Sequence, residues 1–278
     1  QMQKMQSLGW ILLLLLALLA TLVAASRSVS DDAVVIVGAT GRTGSLLYHQ
    51  LKKRNVSVRA VVRDVDKARL VLGCHTCDEQ EGIFQGDVTN VTSLLPAFEA
   101  VHTVAIVSGV SGRGSPTDQE VRDVEYGGVQ NAVRALAQDG NKQAFHGLKN
   151  LRVVLCSSRG TTRPPTSGVF GDILFYKLNA EAFLGSVGMI TSIVKPCGLT
   201  MESGNNSTLL ALHDDEPTPT GSQKISRFDL ARVMTELIVN PRDENLRFDI
   251  CSIDGPPTED LASLVDSGKW NWQDRPIY

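Results

Sequence analysis

The chain of 278 residues has a hydrophobic fraction of 42%, a charged fraction of 21% and a formal net charge of −3. These fractions are those of an ordinary soluble protein. The length suffices for one α/β domain with a sizeable core, so two independent domains are not expected. Because basic residues are not in excess, a nucleic-acid partner has no electrostatic support, and we expect none.

The first 26 residues have the pattern of a targeting segment. Leu8 to Ala25 is apolar apart from Thr21, Lys4 is the one charge before it, and small residues at its end resemble a cleavage site. We therefore predict a signal peptide over residues 1–26 that leads the chain into the secretory route or an organelle. As a helix the segment would be about 27 Å long, so a membrane anchor is an alternative. A buried helix of the domain is another.

A glycine-rich turn follows the first apolar run, in the sequence AVVIVGATGRTGSLL from Ala33 to Leu47. In a nucleotide-binding unit Gly38 would permit the tight turn, Gly41 would let the backbone approach a pyrophosphate, and Gly44 would pack the helix on the sheet. The N–H groups at the start of that helix would point at the phosphates. The predicted cofactor-binding residues here are Gly38, Thr40, Gly41, Arg42, Thr43 and Gly44.

Apolar runs and helical patterns then alternate along the chain, which predicts parallel strands joined by right-handed helical crossovers. The predicted strands are Val34–Val37, Val56–Val62, Gly82–Phe84, Thr103–Val107, Leu151–Cys156, Ile190–Val194 and Arg247–Cys251. The predicted helices after the first are Asp66–Leu72, Val91–Ala100, Asp118–Ala137, Leu174–Val187 and Arg227–Val239. Gly73 and Gly140 are predicted as helix stops.

Three segments between these elements are candidates for substrate contacts. Ser108–Thr117 and Gly160–Gly171 follow the carboxyl ends of strands, where open α/β sheets bind ligands. Met201–Ser222 is acidic and polar, so we expect either a flap on the substrate side or a solvated insertion.

Charges after the second strand favour NADP over NAD as the cofactor. A free ribose 2′-hydroxyl usually meets an acidic residue there, whereas a 2′-phosphate needs a cation. The chain offers Arg63, and Arg42 in the glycine turn could reach the same phosphate with paired donors. The adjacent Asp64 could cap the next helix or pair with Arg63.

Residues after the third and fourth strands are further candidates for cofactor contacts. Asp87 and Val88 could contact the adenine, although Asp87 could equally fix a turn or start a helix. Val107, Ser108 and Gly109 are expected to lie along the cofactor.

The five cysteines do not decide the compartment. Cys156, Cys197 and Cys251 are predicted to be small buried residues of strands. Cys74 and Cys77 could close a short disulfide, and a metal site is not expected there because two further ligands are missing.

Several motifs together resemble the atypical short-chain dehydrogenase/reductases, and specifically their NmrA-like, NAD(P)-binding group. The segments that carry the resemblance are VIVGATGRTG, VRAVVRD, GDV, EYGGVQNAVRA, VVLCSS, YKLNAEAFLGSVGMITSIVKPCGL and ISRFDLA. The resemblance implies an α/β fold, a Rossmann-type doubly wound parallel sheet of about seven strands, over residues 31–278 with a small C-terminal elaboration on the substrate side. It also implies NADP as the cofactor.

Reductases of this family commonly carry Tyr-x-x-x-Lys, in which the lysine holds the ribose and the phenol delivers a proton. Lys177 aligns with that lysine, but Ile173 stands where the phenol would be. Tyr176 lies about 100° around the helix from Lys177 and cannot simply replace the phenol. A surface salt bridge between Lys177 and Glu181 is the alternative role.

Two other features bear on catalysis. Ser157 and Ser158 follow the fifth strand, where the family places a hydroxyl that polarises the substrate, and Ser158 is the candidate catalytic residue beside Lys177. Tyr48 and Lys52 also have the Tyr-x-x-x-Lys spacing, but they fall on the first helix, and we expect Tyr48 at the surface.

The leading functional hypothesis is an NADP-dependent reductase that transfers hydride to a small carbonyl, enone, quinone or flavin-like acceptor. Hydride transfer mainly requires positioning in a dry pocket, so a missing phenol does not forbid it. The alternative is a non-catalytic NADP-sensing regulatory or assembly protein. The dispersed histidines support neither a hydrolase nor a metal enzyme.

Overall fold

A computed structural model describes residues 33–110, 115–163, 168–221 and 223–270 of the chain. The predicted signal peptide or anchor over residues 1–26 lies outside these ranges and stays a prediction. Within the described ranges, no helix has both the length and the apolar character needed to cross a membrane.

The described strands form one ten-stranded sheet. Their bounds are β1 Val34–Val37, β2 Val58–Val62, β3 Ile83–Gln85, β4 Thr103–Ile106, β5 Arg152–Cys156, β6 Ile190–Pro196, β7 Gly198–Thr200, β8 Thr208–Leu212, β9 Lys224–Ser226 and β10 Leu246–Ile253. The α-helices are α1 Gly44–Lys53, α2 Val65–Leu72, α3 Val91–Leu94, α4 Asp118–Arg122, α5 Gly128–Leu136, α6 Asp139–Ala144, α7 Val169–Leu184, α8 Arg227–Val239 and α9 Leu261–Ser267.

The strand order confirms the predicted doubly wound sheet. The main part of the sheet runs β3-β2-β1-β4-β5-β6-β10, and each neighbouring pair in it is parallel. Side chains of β1 alternate between two cores, because Val34 and Ile36 face one layer of helices while Val35 and Val37 face the other. A strand buried on both faces reads as an unbroken apolar run, which is why the sequence revealed it.

Three short strands extend the sheet beyond the seven that were predicted. β8 pairs antiparallel with β10, and β9 connects β10 to β7. Part of Met201–Ser222 is therefore a strand rather than an irregular flap. Short edge strands have little periodicity of their own, so the pattern of the sequence did not show them.

The helix predicted over Asp118–Ala137 is present, but it contains a π-helical turn. A capping box at Thr117 starts α4, a π-helical turn over Asp123–Gly127 follows, and α5 completes the run. Val91–Ala100 likewise divides into α3 and a 3₁₀ turn over Leu95–Phe98, since the proline in that turn lacks an N–H.

Several smaller predictions can be compared with the structure. Gly73 does end a helix, with a φ of 75°, but Gly140 lies inside α6 and ends none. Tyr48 is buried in the core, so its predicted surface position was wrong. It packs there because α1 turns that face toward the sheet.

Four of the five cysteines are paired. Cys74 and Cys77 form the short disulfide that the spacing allowed. Cys197 and Cys251 form a second disulfide between the end of β6 and β10, whereas Cys156 is a free buried thiol. Cys156, Cys197 and Cys251 are all buried, as predicted, but the sequence did not indicate the disulfide between the last two. The second pair is 54 residues apart, and only the adjacency of two strands brings it together.

Candidate functional site

A cleft of about 890 Å³ lies along the carboxyl ends of the parallel strands. Parallel α/β sheets bind ligands at this edge, where the strand order reverses between β1 and β4. Of the residues singled out from the sequence, the cleft is lined by Gly38, Thr40, Gly41, Arg42, Thr43, Arg63, Val88, Val107, Ser108, Gly109, Ser157, Ser158, Ile173 and Lys177. Gly44 and Asp87 are not among the lining residues.

The glycine turn is shaped by two close backbone approaches. Gly38 has a φ of +88°, and a Cβ there would lie 2.7 Å from the backbone nitrogen of Ser108. A Cβ at Gly44 would lie 2.1 Å from the carbonyl oxygen of Gly38, which explains why Gly44 packs behind the turn instead of lining the cleft. No side chain caps the N-terminus of α1 at Thr43, so this end of the helix is left for a ligand.

Cations line the end of the cleft beyond the second strand. Arg42 and Arg63 are exposed there, and Lys67, which the sequence did not single out, lines the same region. Arg227 also lines the cleft, where its guanidinium donates to the carbonyls of Leu199 and Thr200. Burial lowers the pKa of Arg227, and the nearby charge of Arg42 lowers it further. This end of the cleft therefore has the charge to bind an anion.

The carboxylates of two aspartates near these cations accept hydrogen bonds from nearby residues of the chain. Asp64 accepts a hydrogen bond of 2.9 Å from the backbone of Lys67 and so caps α2, one of its two predicted roles. The carboxylate of Asp87 accepts from the backbone and the hydroxyl of Thr89, both at 2.9 Å. The structure thus places Asp87 in the turn that was the alternative to an adenine contact.

Lys177 forms a buried ion pair with a residue that sequence reasoning missed. Its Nζ lies 2.8 Å from Oε2 of Glu125, and the two side chains are 14% and 2% exposed. Glu181, the partner considered from the sequence, instead pairs with Arg247 at 2.8 Å and accepts a hydrogen bond from the hydroxyl of Ser157. The alternative role of Lys177, a surface salt bridge with Glu181 at helical spacing, was therefore wrong.

Charge and burial set the protonation of these groups. Burial by itself lowers the pKa of Lys177, but the charge and hydrogen bond of Glu125 act together with the charges of Cys156 and Glu181 and raise the pKa above its usual value. Burial raises the pKa of Cys156 to about 11, although the charge of Lys177 acts in the opposite direction. At neutral pH the cleft therefore contains a cationic lysine and a neutral, unreactive thiol.

Ile173 lines the cleft at the position where the resemblance places a phenol. Tyr176 is not a lining residue, and its hydroxyl donates to the carboxylate of Asp118 at 3.0 Å. Ser158 lines the cleft and donates to the carbonyl of Arg159 at 2.9 Å. The structure thus brings Lys177 and both serines to one end of the cleft and leaves Tyr176 outside it.

A second charged cluster supports the wall behind Ser158. Lys195, which is 1% exposed, lies 3.0 Å from Asp249 and 3.3 Å from Asp215. Asp215 lines the cleft and accepts from the backbone N–H groups of Gly160 and Thr162. Burial raises the pKa of Asp249; for Asp215 burial acts in the same direction, but hydrogen bonds and Lys195 lower its pKa overall. No sequence spacing indicated this cluster.

The donor groups of the cleft fit a dinucleotide. Gly38, which has no Cβ, lets the turn approach the loop at Ser108, and the N-terminus of α1 faces the same space. The hydroxyl of Ser108, a lining residue, is buried with no hydrogen-bond partner among the described residues. An unpaired buried hydroxyl of this kind is suited to a ligand oxygen.

Comparison with known proteins identifies the class of ligand. Residues 38–241 match a family described as NAD(P)H-binding. Sanguinarine reductase of Eschscholzia californica is 28% identical over an alignment of 263 residues, and the match covers 83% of this chain and 94% of that protein. An uncharacterized chloroplastic protein of Arabidopsis thaliana is 26% identical over an alignment of 265 residues, and the match covers 87% of this chain and 77% of that protein. A structure from Bacillus halodurans described as an NAD-dependent epimerase/dehydratase has the same fold, with a TM-score of 0.66, 20% identity and coverage of 84% and 99%.

Proposed function

Since the chain belongs to the NAD(P)H-binding family, we propose that it is an NADP-dependent reductase that transfers hydride to a small carbonyl, enone, quinone or flavin-like acceptor. The observation that carries the choice of NADP is the group of cations at the end of β2. A 2′-phosphate placed there would meet Arg42, Arg63 and Lys67. The nearest carboxylate along the chain, Asp64, caps α2.

The choice of cofactor is tested by Arg63→Asp. Hydrogen bonds to charged groups contribute about 1.5–3 kcal/mol, so we expect NADPH to bind roughly 10- to 100-fold more weakly. NADH lacks the 2′-phosphate, and its affinity should change little. Both dissociation constants are measured by fluorescence titration.

Arg54→Asp is the matched control, because Arg54 is exposed at the end of α1 and does not line the cleft. This control should leave both affinities unchanged. Equal losses of NADPH and NADH binding in Arg63→Asp would contradict the proposed phosphate site.

The other end of the cleft supports reduction of an organic acceptor. When bound, a reduced nicotinamide supplies the hydride. In this chain Lys177 would hold the ribose, Ile173 and neighbouring apolar side chains would exclude water, and Ser158 would orient an acceptor oxygen. Because Ile173 cannot donate a proton, the proton would come from water or from the acceptor. The resemblance to sanguinarine reductase adds support for a reductase.

Turnover is tested by following NADPH oxidation at 340 nm with a panel of carbonyls, enones, quinones and flavins. We expect many turnovers per protein molecule with at least one class. Lys177→Met should reduce the rate, because it removes the cationic group beside the ribose. Tight NADPH binding without turnover on every acceptor would instead favour the regulatory alternative.

A further inference from the structure

One buried carboxylate connects two walls of the cleft. Oε1 of Glu125 accepts the backbone N–H of Val110 at 2.8 Å, in the loop after β4. Its Oε2 pairs with Lys177 of α7 at 2.8 Å. Ser108 and Gly109 of that loop line the cleft, as do Lys177 and Glu125 themselves. Both oxygens are therefore committed to elements that face a bound cofactor.

The backbone around Glu125 has an unusual helical geometry. Glu125 lies in the π-helical turn Asp123–Gly127, between α4 and α5. Such turns are rare and often occur at functional sites, because they redirect a side chain out of the regular helical pattern. The approach is close: a Cβ at Gly109 would be 3.1 Å from Oε1. A side chain at Gly109 would therefore crowd the carboxylate and move it by a few tenths of an ångström.

We infer that Glu125 is a positioning residue, which keeps Lys177 charged and holds it together with the loop after β4 in the geometry that binds the cofactor. This inference rests on the proposed function for its link to NADPH. The contact between Glu125 and Lys177 stands independently of it.

The charges around Lys177 make Glu125 the main partner. Cys156 faces Lys177 from β5 as a neutral thiol, and Arg227 acts on that thiol from α8. Glu181 lies one turn away on α7 but is paired with Arg247. The charge of Glu181 also raises the pKa of Lys177, but by less than that of Glu125. Removing the charge of Glu125 would thus take away the main opposition to burial, and burial would then lower the pKa of Lys177.

The test is Glu125→Gln in the full-length chain, since glutamine keeps the shape and can still accept from Val110. NADPH affinity is measured from pH 7 to pH 10, and the Lys177 Cε resonance, assigned with Lys177→Gln, is followed in the absence of cofactor. In the wild type we expect that Lys177 does not titrate between pH 7 and pH 10, and that the NADPH affinity does not change with the charge of Lys177. In Glu125→Gln we expect a new titration of Lys177 and an affinity that falls about tenfold as the ammonium loses its proton.

Two further variants make the result specific. Glu79→Gln changes an exposed glutamate away from the cleft and should behave as the wild type. Glu125→Asp keeps the charge, so Lys177 should stay cationic to pH 10 while the shorter side chain weakens binding at every pH. Melting temperatures show whether each variant is folded. If Glu125→Gln does not fold, the inference about Glu125 is tested with Glu125→Asp alone.

The outcomes separate the two proposals. An unchanged Lys177 resonance in Glu125→Gln, with wild-type affinity or with a loss that is equal at every pH, overturns the inference, as does a titrating Lys177 in Glu125→Asp. If the wild type binds no NADPH, the proposed function fails, while the titration of Lys177 still judges its coupling to Glu125.

Discussion

Gly44→Ala is expected to abolish measurable cofactor binding and to lower the free energy of unfolding by about 3 kcal/mol, the upper end for overpacking a close-packed site. The new Cβ would lie 2.1 Å from the carbonyl oxygen and 2.9 Å from the carbonyl carbon of Gly38. Gly38 cannot yield easily, because it packs in turn against the backbone of Ser108. The variant therefore distorts the turn that would hold the pyrophosphate.

Gly140→Ala is the matched control, since it also places alanine in the first turn of a helix. Apart from the backbone of its own helix and its chain neighbours, a Cβ at Gly140 would meet no described atom within 4 Å. We expect unchanged NADPH affinity and a stability equal to or greater than the wild type by up to about 1 kcal/mol, the usual gain from glycine to alanine in a helix. Chemical denaturation and fluorescence titration measure both effects. Wild-type NADPH affinity in Gly44→Ala would show that the turn does not touch the cofactor.

Lys195→Met is expected to destabilise the fold by about 3–5 kcal/mol, the usual cost of breaking a buried ion pair. Methionine has a similar length but leaves the carboxylates of Asp215 and Asp249 without their shared cation. Asp215 also anchors the loop of Gly160 and Thr162, so the wall of the cleft behind Ser158 should loosen. Denaturant unfolding measures the loss.

The loss of stability in Lys195→Met should depend on pH in a defined direction. Burial already raises the pKa of Asp249 in the wild type, and loss of Lys195 would raise it further. The folded variant then binds more protons than the unfolded chain, so its stability falls as pH rises through that pKa. We expect a smaller deficit at pH 5 than at pH 8. A larger deficit at pH 5 would contradict this account.

Lys142→Met tests whether the loss of stability in Lys195→Met is due to the burial of the ion pair. Lys142 also pairs with an aspartate, Asp139, but at the surface, where the side chains are 39% and 87% exposed. Water screens such pairs, so we expect no measurable change in stability at either pH.

The fold could be predicted where a local pattern carried enough information. The buried run Val34–Val37 and the glycine turn after it led directly to β1 and α1. Prediction failed where the determining contact was distant. Thr208–Leu212 is a strand because it pairs with β10, and the helix predicted over Asp118–Ala137 contains a π-helical turn at Glu125.

The candidate site divides in the same way. Arg42, Arg63 and Lys177 were singled out from motifs, and the structure places all three on one cleft. Glu125 was missed because its partner is 52 positions further along the chain, beyond any helical spacing. Lys195 and Asp249 were missed because a charged residue in an apolar strand shows no sign of the partner that will neutralise it.

The sequence alone thus determined the parallel sheet, the glycine turn and the NAD(P)H-binding class, because strand, turn and helix propensities act between neighbouring residues. Only the tertiary structure decided which charges are paired. Coulomb energies and burial depend on distances in space, and the crossover topology sets those distances. The pairing of Lys177 with Glu125 instead of Glu181, and the disulfide between Cys197 and Cys251, are consequences of that topology.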